Sequence, residues 1–206
     1  MSYRIGLAAH DLSCRRGGRL LFEGLNFALS PGDALLVTGP NGAGKTSLLR
    51  LIAGLLPLEA GSFSLSGTAP DAERPELCHY VGHANGIKSA LSVRENLSFY
   101  AEYLGGGGDP GNALDVFRLG EIAGIPAGLL SAGQKRKLAL SRLFAAPRPI
   151  WLLDEPSVSL DTASVKRLDK VISAHLKSGG IAVVASHIAP KAKFAKKIKL
   201  GGKRAT

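Results

Sequence analysis

Cysteine is scarce in this sequence of 206 residues, which contains only Cys14 and Cys78. Their spacing matches no metal-binding or redox motif, so we expect two reduced thiols and no disulfide framework. Long apolar runs are also missing: the longest, at residues 34–37, 150–153 and 181–185, have the length of a strand. A membrane helix needs ~20 apolar residues, and we also expect no secretion signal at the N-terminus. Any membrane process that this chain serves therefore requires a second, membrane-spanning protein.

Acidic residues are few, with 16 Asp and Glu against 26 Lys and Arg, for a formal net charge of +10. Part of the excess lies in a C-terminal segment without any acid, which contains Lys191, Lys193, Lys196, Lys197, Lys199, Lys203 and Arg204. Such a segment suits anionic lipid headgroups or nucleic acid, and it suits a solvated tail equally well. Aromatic residues do not alternate with these lysines, which disfavours nucleic acid.

The pattern of apolar residues predicts an α/β fold with a mostly parallel sheet. Residues 3–27 alternate between apolar and polar and predict antiparallel strands with a turn at Gly17 and Gly18. Unbroken apolar runs at 150–153 and 181–185, separated by a helical pattern at 161–177, predict buried parallel strands joined by a right-handed crossover. Further elements are expected as a strand at 34–37, a helix at 47–53 and a strand at 62–66.

The middle of the chain is helical. Ser92 and Glu95 have capping-box spacing before a helix that runs towards Tyr103, and helical patterns continue at 112–123 and at 130–145. We interpret residues 84–135 as a helical subdomain inserted into one α/β domain that spans 1–206.

A glycine-rich loop between the strand at 34–37 and the helix at 47–53 matches the phosphate-binding motif G-x-x-x-x-G-K-[ST] in full. Glycines let backbone N–H groups surround phosphate oxygens at a helix N-terminus, Lys45 reaches the β- and γ-phosphates, and the Thr46 hydroxyl binds Mg²⁺. The expected nucleotide-binding residues are Gly39, Pro40, Asn41, Gly42, Ala43, Gly44, Lys45, Thr46 and Ser47.

Two acids follow the apolar strand at 150–153. They lie at the C-terminal end of that strand, which is the edge of an open α/β sheet where ligands bind. Asp154 is suited to hold Mg²⁺, and Glu155 is suited to orient and deprotonate an attacking water. An acidic helix cap is the alternative.

A second predicted anion-binding site is the start of the helix at Ser131, Ala132, Gly133 and Gln134. One triphosphate does not need two such sites in the same chain, so we expect this one to bind the nucleotide held by a neighbouring copy. A plain N-cap at Ser131 is the alternative there.

The order of these motifs resembles the nucleotide-binding domain of ABC transporters over nearly the whole chain. The family signature LSGGQ is LSAGQ at 130–134, the D-loop corresponds to residues 159–161 and ends at Asp161, and the switch histidine corresponds to His187. The resemblance implies a P-loop NTPase that binds ATP and Mg²⁺, closes as a head-to-tail homodimer, and uses Glu155 and His187 in hydrolysis.

Two positions depart from the family pattern. The adenine-stacking aromatic is absent upstream of the glycine-rich loop, where Arg16 or Arg15 can stack a guanidinium on the base instead. The family glutamine that touches Mg²⁺ is replaced by His83, whose imidazole can make the same contacts, so we include it in the metal-binding set; a plain surface residue is the alternative.

Residues 82–100 and 130–143 resemble one subfamily, the ATP-binding subunit of the haem exporter of cytochrome c maturation. This resemblance implies an integral membrane permease as partner, a peripheral position on the cytoplasmic face of the inner membrane, and no direct contact with haem. Another ABC exporter, a soluble ABC ATPase acting on nucleic acid or iron–sulfur assembly, and a non-hydrolysing binding module are the alternatives. Nucleic acid is the less favoured partner.

Overall fold

The computed structural model describes residues 3–106, 108–187 and 190–201. The strands are β1 (Gly6–Arg16), β2 (Arg19–Leu29), β3 (Ala34–Thr38), β4 (Ala60–Ser66), β5 (Cys78–Val81), β6 (Ile150–Asp154), β7 (Ile181–Ala185) and β8 (Lys196–Lys199). They form a three-stranded antiparallel sheet in the order β2-β1-β4 and a five-stranded parallel sheet in the order β5-β6-β7-β3-β8. The predicted α/β fold, with antiparallel strands at the N-terminus and a parallel core, is confirmed.

Every residue of β6 and β7 is buried, as the unbroken apolar runs predicted. Strands covered on both faces cannot alternate between apolar and polar residues, because neither face meets water. The two strands pair in register from Ile150 opposite Ile181 to Asp154 opposite Ala185. Their C-terminal ends therefore lie side by side at one edge of the sheet.

The helices are α1 (Lys45–Ile52), α2 (Arg74–Leu77), α3 (Val93–Tyr103), α4 (Pro110–Val116), α5 (Ala132–Ala145) and α6 (Thr162–Lys177). The predicted capping box at the start of α3 is present: the Glu95 amide donates to Ser92 Oγ at 3.2 Å, and the Ser92 amide donates to Glu95 Oε2 at 2.7 Å. The pattern at 112–123 proved to be two elements, α4 and a 3₁₀ turn at Gly120–Ile122.

Helices α3, α4 and α5 pack on one another through a buried cluster that includes Leu97, Leu114 and Leu138. This cluster also reaches Leu153 of β6 and Val184 of β7. The helices of the proposed subdomain therefore share apolar packing with the parallel sheet, and α5 runs from one to the other.

The basic C-terminal segment is not only a tail, which corrects one of the interpretations of its composition. Residues Lys196–Lys199 form β8, an edge strand that pairs in parallel with β3, and Ile198 is buried in the core. Lysines on an edge strand also discourage pairing with another chain. Lys203 and Arg204 lie outside the described residues. Within the described ranges, no helix has the length and apolar character required to cross a membrane.

Candidate nucleotide site

A cleft of about 660 Å³ opens at the C-terminal edge of the parallel sheet. All predicted residues of the glycine-rich loop line it except Gly39 and Ala43. It is also lined by five predicted residues from elsewhere in the chain: Arg16, His83, Asp154, Glu155 and His187. The structure thus brings together residues that are up to 171 positions apart in the sequence, from Arg16 to His187.

The loop itself owes its shape to glycines in the left-handed region of backbone conformation. Gly42 has a φ of 77° and Gly44 a φ of 100°, which side chains with a Cβ rarely tolerate. A Cβ at Gly39 would collide with the Leu200 carbonyl oxygen, because the residue after β8 packs against the loop. The N-cap of α1 is Gly44, which has no side chain to bond the N–H groups of the first turn.

The Lys45 ammonium lies inside the loop, with the side chain folded back so that the residue is only 8% exposed. Its Nζ donates to the carbonyl oxygens of Gly39 at 2.8 Å and Pro40 at 3.2 Å, and lies 3.2 Å from Nε2 of His187. The positive charge is therefore held at the mouth of the loop, where a phosphate would enter.

Two hard oxygen ligands meet at the floor of the cleft. The Thr46 hydroxyl on α1 donates to Oδ2 of Asp154 at 2.7 Å, and Asp154 is 2% exposed at the end of β6. A hydroxyl beside a carboxylate is the ligand type that Mg²⁺ prefers. These two residues fit a magnesium ion, whereas His83 lines the cleft with a nitrogen donor.

Glu155 departs from the strand immediately after Asp154, with a φ of 46°. Its amide donates to the Ala185 carbonyl at 2.8 Å, which ties it to the neighbouring strand β7. Its carboxylate accepts hydrogen bonds from Ser186 Oγ at 2.9 Å and from the His187 amide at 3.2 Å. Two neighbours thus orient the carboxylate, and a third contact fixes the backbone that carries it.

The His187 ring is half exposed and lies between three polar groups of the cleft. Its Nε2 is 3.0 Å from Asn41 Oδ1, 3.2 Å from Lys45 Nζ and 3.8 Å from Glu155 Oε1. It can accept a hydrogen bond from the ammonium in one tautomer or donate to the amide oxygen in the other. The ring is therefore placed beside both Lys45, the predicted phosphate-binding lysine, and the candidate base.

The signature residues lie away from this cleft. Ser131 caps α5 through a capping box with Gln134: the Gln134 amide donates to Ser131 Oγ at 3.2 Å, and the Ser131 amide donates to Gln134 Oε1 at 2.9 Å. Ser131 and Ala132 are exposed, and Gly133 is half exposed. The cap and an exposed, positively polarised helix start are thus both present.

Asp161 is the N-cap of α6, where its Oδ1 accepts from the Ser164 amide at 2.7 Å. Lys137 of α5 donates to its Oδ2 at 2.8 Å. The hydrogen bonds from Lys137 and Ser164 hold the pKa of Asp161 below its ordinary value. The carboxylate therefore links the start of α6 to the second turn of α5.

Of the two candidate arginines upstream, only Arg16 lines the cleft. Arg15 instead pairs with Glu59, with 3.2 Å between Nε and Oε1. Of the two guanidinium groups, that of Arg16 is therefore the one that could stack on the adenine of a bound nucleotide.

Sequence reasoning missed two residues that contact Glu155, the candidate base. Ser186 donates to the Glu155 carboxylate, and Arg136 donates to the backbone carbonyls of Asp154 and Glu155. Ser186 directly precedes the predicted histidine, so its place in the chain was a usable signal. Arg136 had a weaker signal, a cation among the apolar positions of α5.

Comparison with known proteins places this site in a family. The family model described as "ABC transporter" matches residues 22–158. A cytochrome c biogenesis ATP-binding export protein CcmA from Chelativorans sp. is 49% identical over 199 residues, which cover 95% of this chain and 98% of that protein. The protein of the same name from Rhodospirillum rubrum is 50% identical over 185 residues, covering 87% and 79%.

Solved structures share the fold at lower identity. An ABC transporter ATP-binding protein from Pyrococcus furiosus superposes with a TM-score of 0.80 at 23% identity and covers 98% of this chain and 100% of its own. An ATP-binding subunit of an ABC transporter gives a TM-score of 0.84 at 22% identity, covering 97% and 87%. The chain belongs to the ATP-binding proteins of the ABC transporter family and, within it, to the family of cytochrome c biogenesis ATP-binding export proteins.

Proposed function

We propose that this ABC-type ATPase is the ATP-hydrolysing subunit of a haem exporter that serves the maturation of c-type cytochromes. One observation carries the proposal: a relative named for export in cytochrome c biogenesis, the Chelativorans protein, is matched over 98% of its length at 49% identity. Haem is the cargo that the resemblance at 82–100 and 130–143 implies.

ATP binding is assigned to the glycine-rich loop and its neighbours. The triphosphate lies against the first-turn N–H groups of α1, and the Lys45 ammonium exchanges its carbonyl contacts for phosphate oxygens. Arg16 stacks on the base in place of an aromatic ring. Thr46 and Asp154 hold Mg²⁺, and His83, which lines the same cleft, takes the place of the family glutamine beside the ion. The ion, when bound, neutralises charge on the phosphates.

Hydrolysis is assigned to Glu155 and His187. Glu155 orients a water molecule and accepts its proton, since Ser186 and the His187 amide already fix the direction of the carboxylate. The His187 ring, next to Lys45, hydrogen-bonds the γ-phosphate and the same water.

Two copies complete the site. Ser131, Ala132, Gly133 and Gln134 form the exposed start of α5, which offers a hydroxyl and a positive helix end to the nucleotide of the other copy. Asp161 lies at the same interface in this arrangement. ATP therefore promotes a head-to-tail homodimer, and hydrolysis releases it.

An integral membrane permease receives the motion of the dimer, so the chain lies at the cytoplasmic face of the inner membrane. Haem does not contact this chain, and nucleic acid is not its partner in this proposal. The alternatives are another ABC exporter or a soluble ABC ATPase, and each predicts a different result in the experiment below.

A strain that lacks the gene tests the function when it is complemented with the wild type or with Lys45→Ala. Covalent haem staining of c-type cytochromes should return with the wild type and not with Lys45→Ala. Lys166→Ala, an exposed lysine on α6, is the matched control and should restore staining fully.

The same variants tested as the purified complex with the co-purifying permease separate the alternatives. Normal haem staining without the gene, together with Lys45-dependent ATP hydrolysis, would indicate another ABC exporter. Salt-dependent binding of nucleic acid by the wild type, with no permease in the preparation, would indicate the soluble ATPase.

A further inference from the structure

We infer that Arg136 is a positioning residue that ties the start of α5 to Glu155 of the same chain, so that the candidate base follows the movement of the signature helix. The inference deepens the proposed function and rests on the role of Glu155 in hydrolysis. It is carried by the hydrogen bonds of one buried guanidinium to two segments that line the cleft.

The first segment is the end of β6 and the residues after it. Arg136 Nη2 donates to the carbonyl oxygens of Asp154 at 2.6 Å and Glu155 at 2.9 Å, and Nε donates to the Pro156 carbonyl at 3.2 Å. Three successive peptide units are therefore held by one side chain. The middle one belongs to the candidate base, whose φ is positive.

The second segment is the loop after β5. Arg136 Nη1 donates to the Gly82 carbonyl at 2.7 Å and to Asn85 Oδ1 at 3.1 Å. His83, which lines the cleft, lies between these two acceptors. The guanidinium therefore bridges the loop that carries His83 and the segment that carries Glu155.

Arginine suits this position better than any other residue. Its planar group has five N–H donors, and five hydrogen bonds end on carbonyl or amide oxygens here. Arg136 is 3% exposed, and burial lowers its pKa to about 10, so it stays charged at neutral pH. Lysine would keep the charge but has three donors on one atom and cannot reach both segments with the same geometry.

Neighbours of Arg136 on the same face of α5 extend the contact. A Cβ at Gly133 would lie 2.8 Å from the Ser159 carbonyl oxygen, so the helix approaches the backbone there. Lys137 binds Asp161. Positions 133, 136 and 137 have the i, i+3, i+4 spacing of one helix face. All three contact the segment 154–161: Gly133 lies against Ser159, Arg136 binds residues 154–156 and Lys137 binds Asp161, so this face of α5 is tied to the segment at three places.

This arrangement gives α5 two roles in a dimer. Its exposed N-terminus faces the nucleotide of the other copy, and the face with Arg136 holds the Glu155 that serves its own nucleotide. A rotation of α5 on dimer closure then changes both sites at once. A residue that only fills space under the helix would instead affect folding and nucleotide binding together.

Steady-state ATP hydrolysis by the full chain distinguishes these roles in Arg136→Lys and Arg136→Gln. We expect kcat to fall about 10- to 100-fold while the KM for ATP stays within about two-fold, since misplacement by 1 Å can cost on the order of 100-fold. Arg94→Lys, an exposed arginine on α3, is the matched control and should leave both parameters unchanged. Asn85→Ala removes one of the five acceptors and should also lower kcat, but by less than the Arg136 variants.

Amide hydrogen exchange tests the same link without turnover. In Arg136→Lys the amides of residues 82–85, 155 and 157–160 should exchange faster while the melting temperature stays close to the parental value. Parental kcat in Arg136→Lys, equal loss of kcat and nucleotide binding, or unchanged exchange in both segments would each overturn the inference. A wild type that binds no Mg-ATP would instead overturn the proposed function, and the exchange result would still decide whether Arg136 holds the two segments.

Discussion

Replacing Glu155 with Gln exchanges a carboxylate for an amide of nearly the same shape at the end of β6. The local hydrogen bonds can survive the exchange: the amide oxygen can accept from the His187 amide, and the amide NH₂ can donate to Ser186 Oγ, whose hydroxyl can donate or accept. The tie from the Glu155 amide to the Ala185 carbonyl does not involve the side chain. The variant should therefore fold and bind Mg-ATP, but it cannot accept a proton from water.

The expected loss follows from the role of a general base. Proton transfer by a positioned base contributes about 10²- to 10⁴-fold to the rate, which corresponds to about 3–5 kcal/mol of transition-state free energy. Steady-state phosphate release should show this loss in kcat. Gel filtration in Mg-ATP should show a dimer that persists, because closure is retained and release by hydrolysis is not.

Ser186→Ala is the matched variant, because it removes a hydroxyl that donates to the carboxylate but leaves the carboxylate itself in place. It should lower kcat by about 10-fold, below the effect of losing the base itself, since tenfold is about 1.4 kcal/mol and a hydrogen bond to a charged group contributes about 1.5–3 kcal/mol. Glu155→Gln hydrolysing ATP at the parental rate would refute the role of Glu155. The role of Glu155 would also be refuted if Ser186→Ala lowered kcat as much as Glu155→Gln, or more.

Three further predictions concern two buried histidines of the core and two residues of the site. Burial lowers the pKa of His79 to about 3 and of His175 to about 4, so at pH 5 each histidine is neutral in the fold and takes up a proton on unfolding. The free energy of unfolding, measured by urea denaturation, should therefore be lower at pH 5 than at pH 8 by about 2 kcal/mol per histidine. His79→Gln should remove about half of this pH dependence. Arg16→Ala should raise the KM for ATP several-fold at unchanged kcat. An unchanged KM would exclude Arg16 from the part of the site that binds adenine. Thr46→Ala should raise the Mg²⁺ concentration needed for half-maximal hydrolysis, in a titration at fixed ATP.

Elements that depend on neighbours in the chain could be predicted from the sequence. The glycine-rich loop, the capping box at Ser92 and the apolar strand before Asp154 each have their cause within a few residues. Their order was enough to predict which side chains gather at the sheet edge, since the C-terminal ends of parallel strands share that edge.

Elements that depend on distant partners were beyond this reasoning. Strand β8 consists mostly of lysines and forms because β3 offers it an open edge, with Ile198 as its one buried anchor. The choice between Arg15 and Arg16 is made by Glu59, which pairs with the former. Arg136 binds carbonyls from two segments more than 15 positions away on either side of it. None of these partners is marked by the local pattern.

The backbone of Glu155 provides a test of why strain is placed at this residue. A φ of 46° in a residue with a Cβ costs about 1–2 kcal/mol, whereas glycine adopts it readily. Glu155→Gly and Glu155→Ala both remove the carboxylate, so the difference between them isolates the backbone. We expect the glycine variant to be more stable than the alanine variant by about 1 kcal/mol in urea denaturation, with both inactive. If alanine is as stable as glycine, the positive φ is not a cost, and the contacts of Arg136 and Ala185 with this residue would have to serve something other than holding a strained turn.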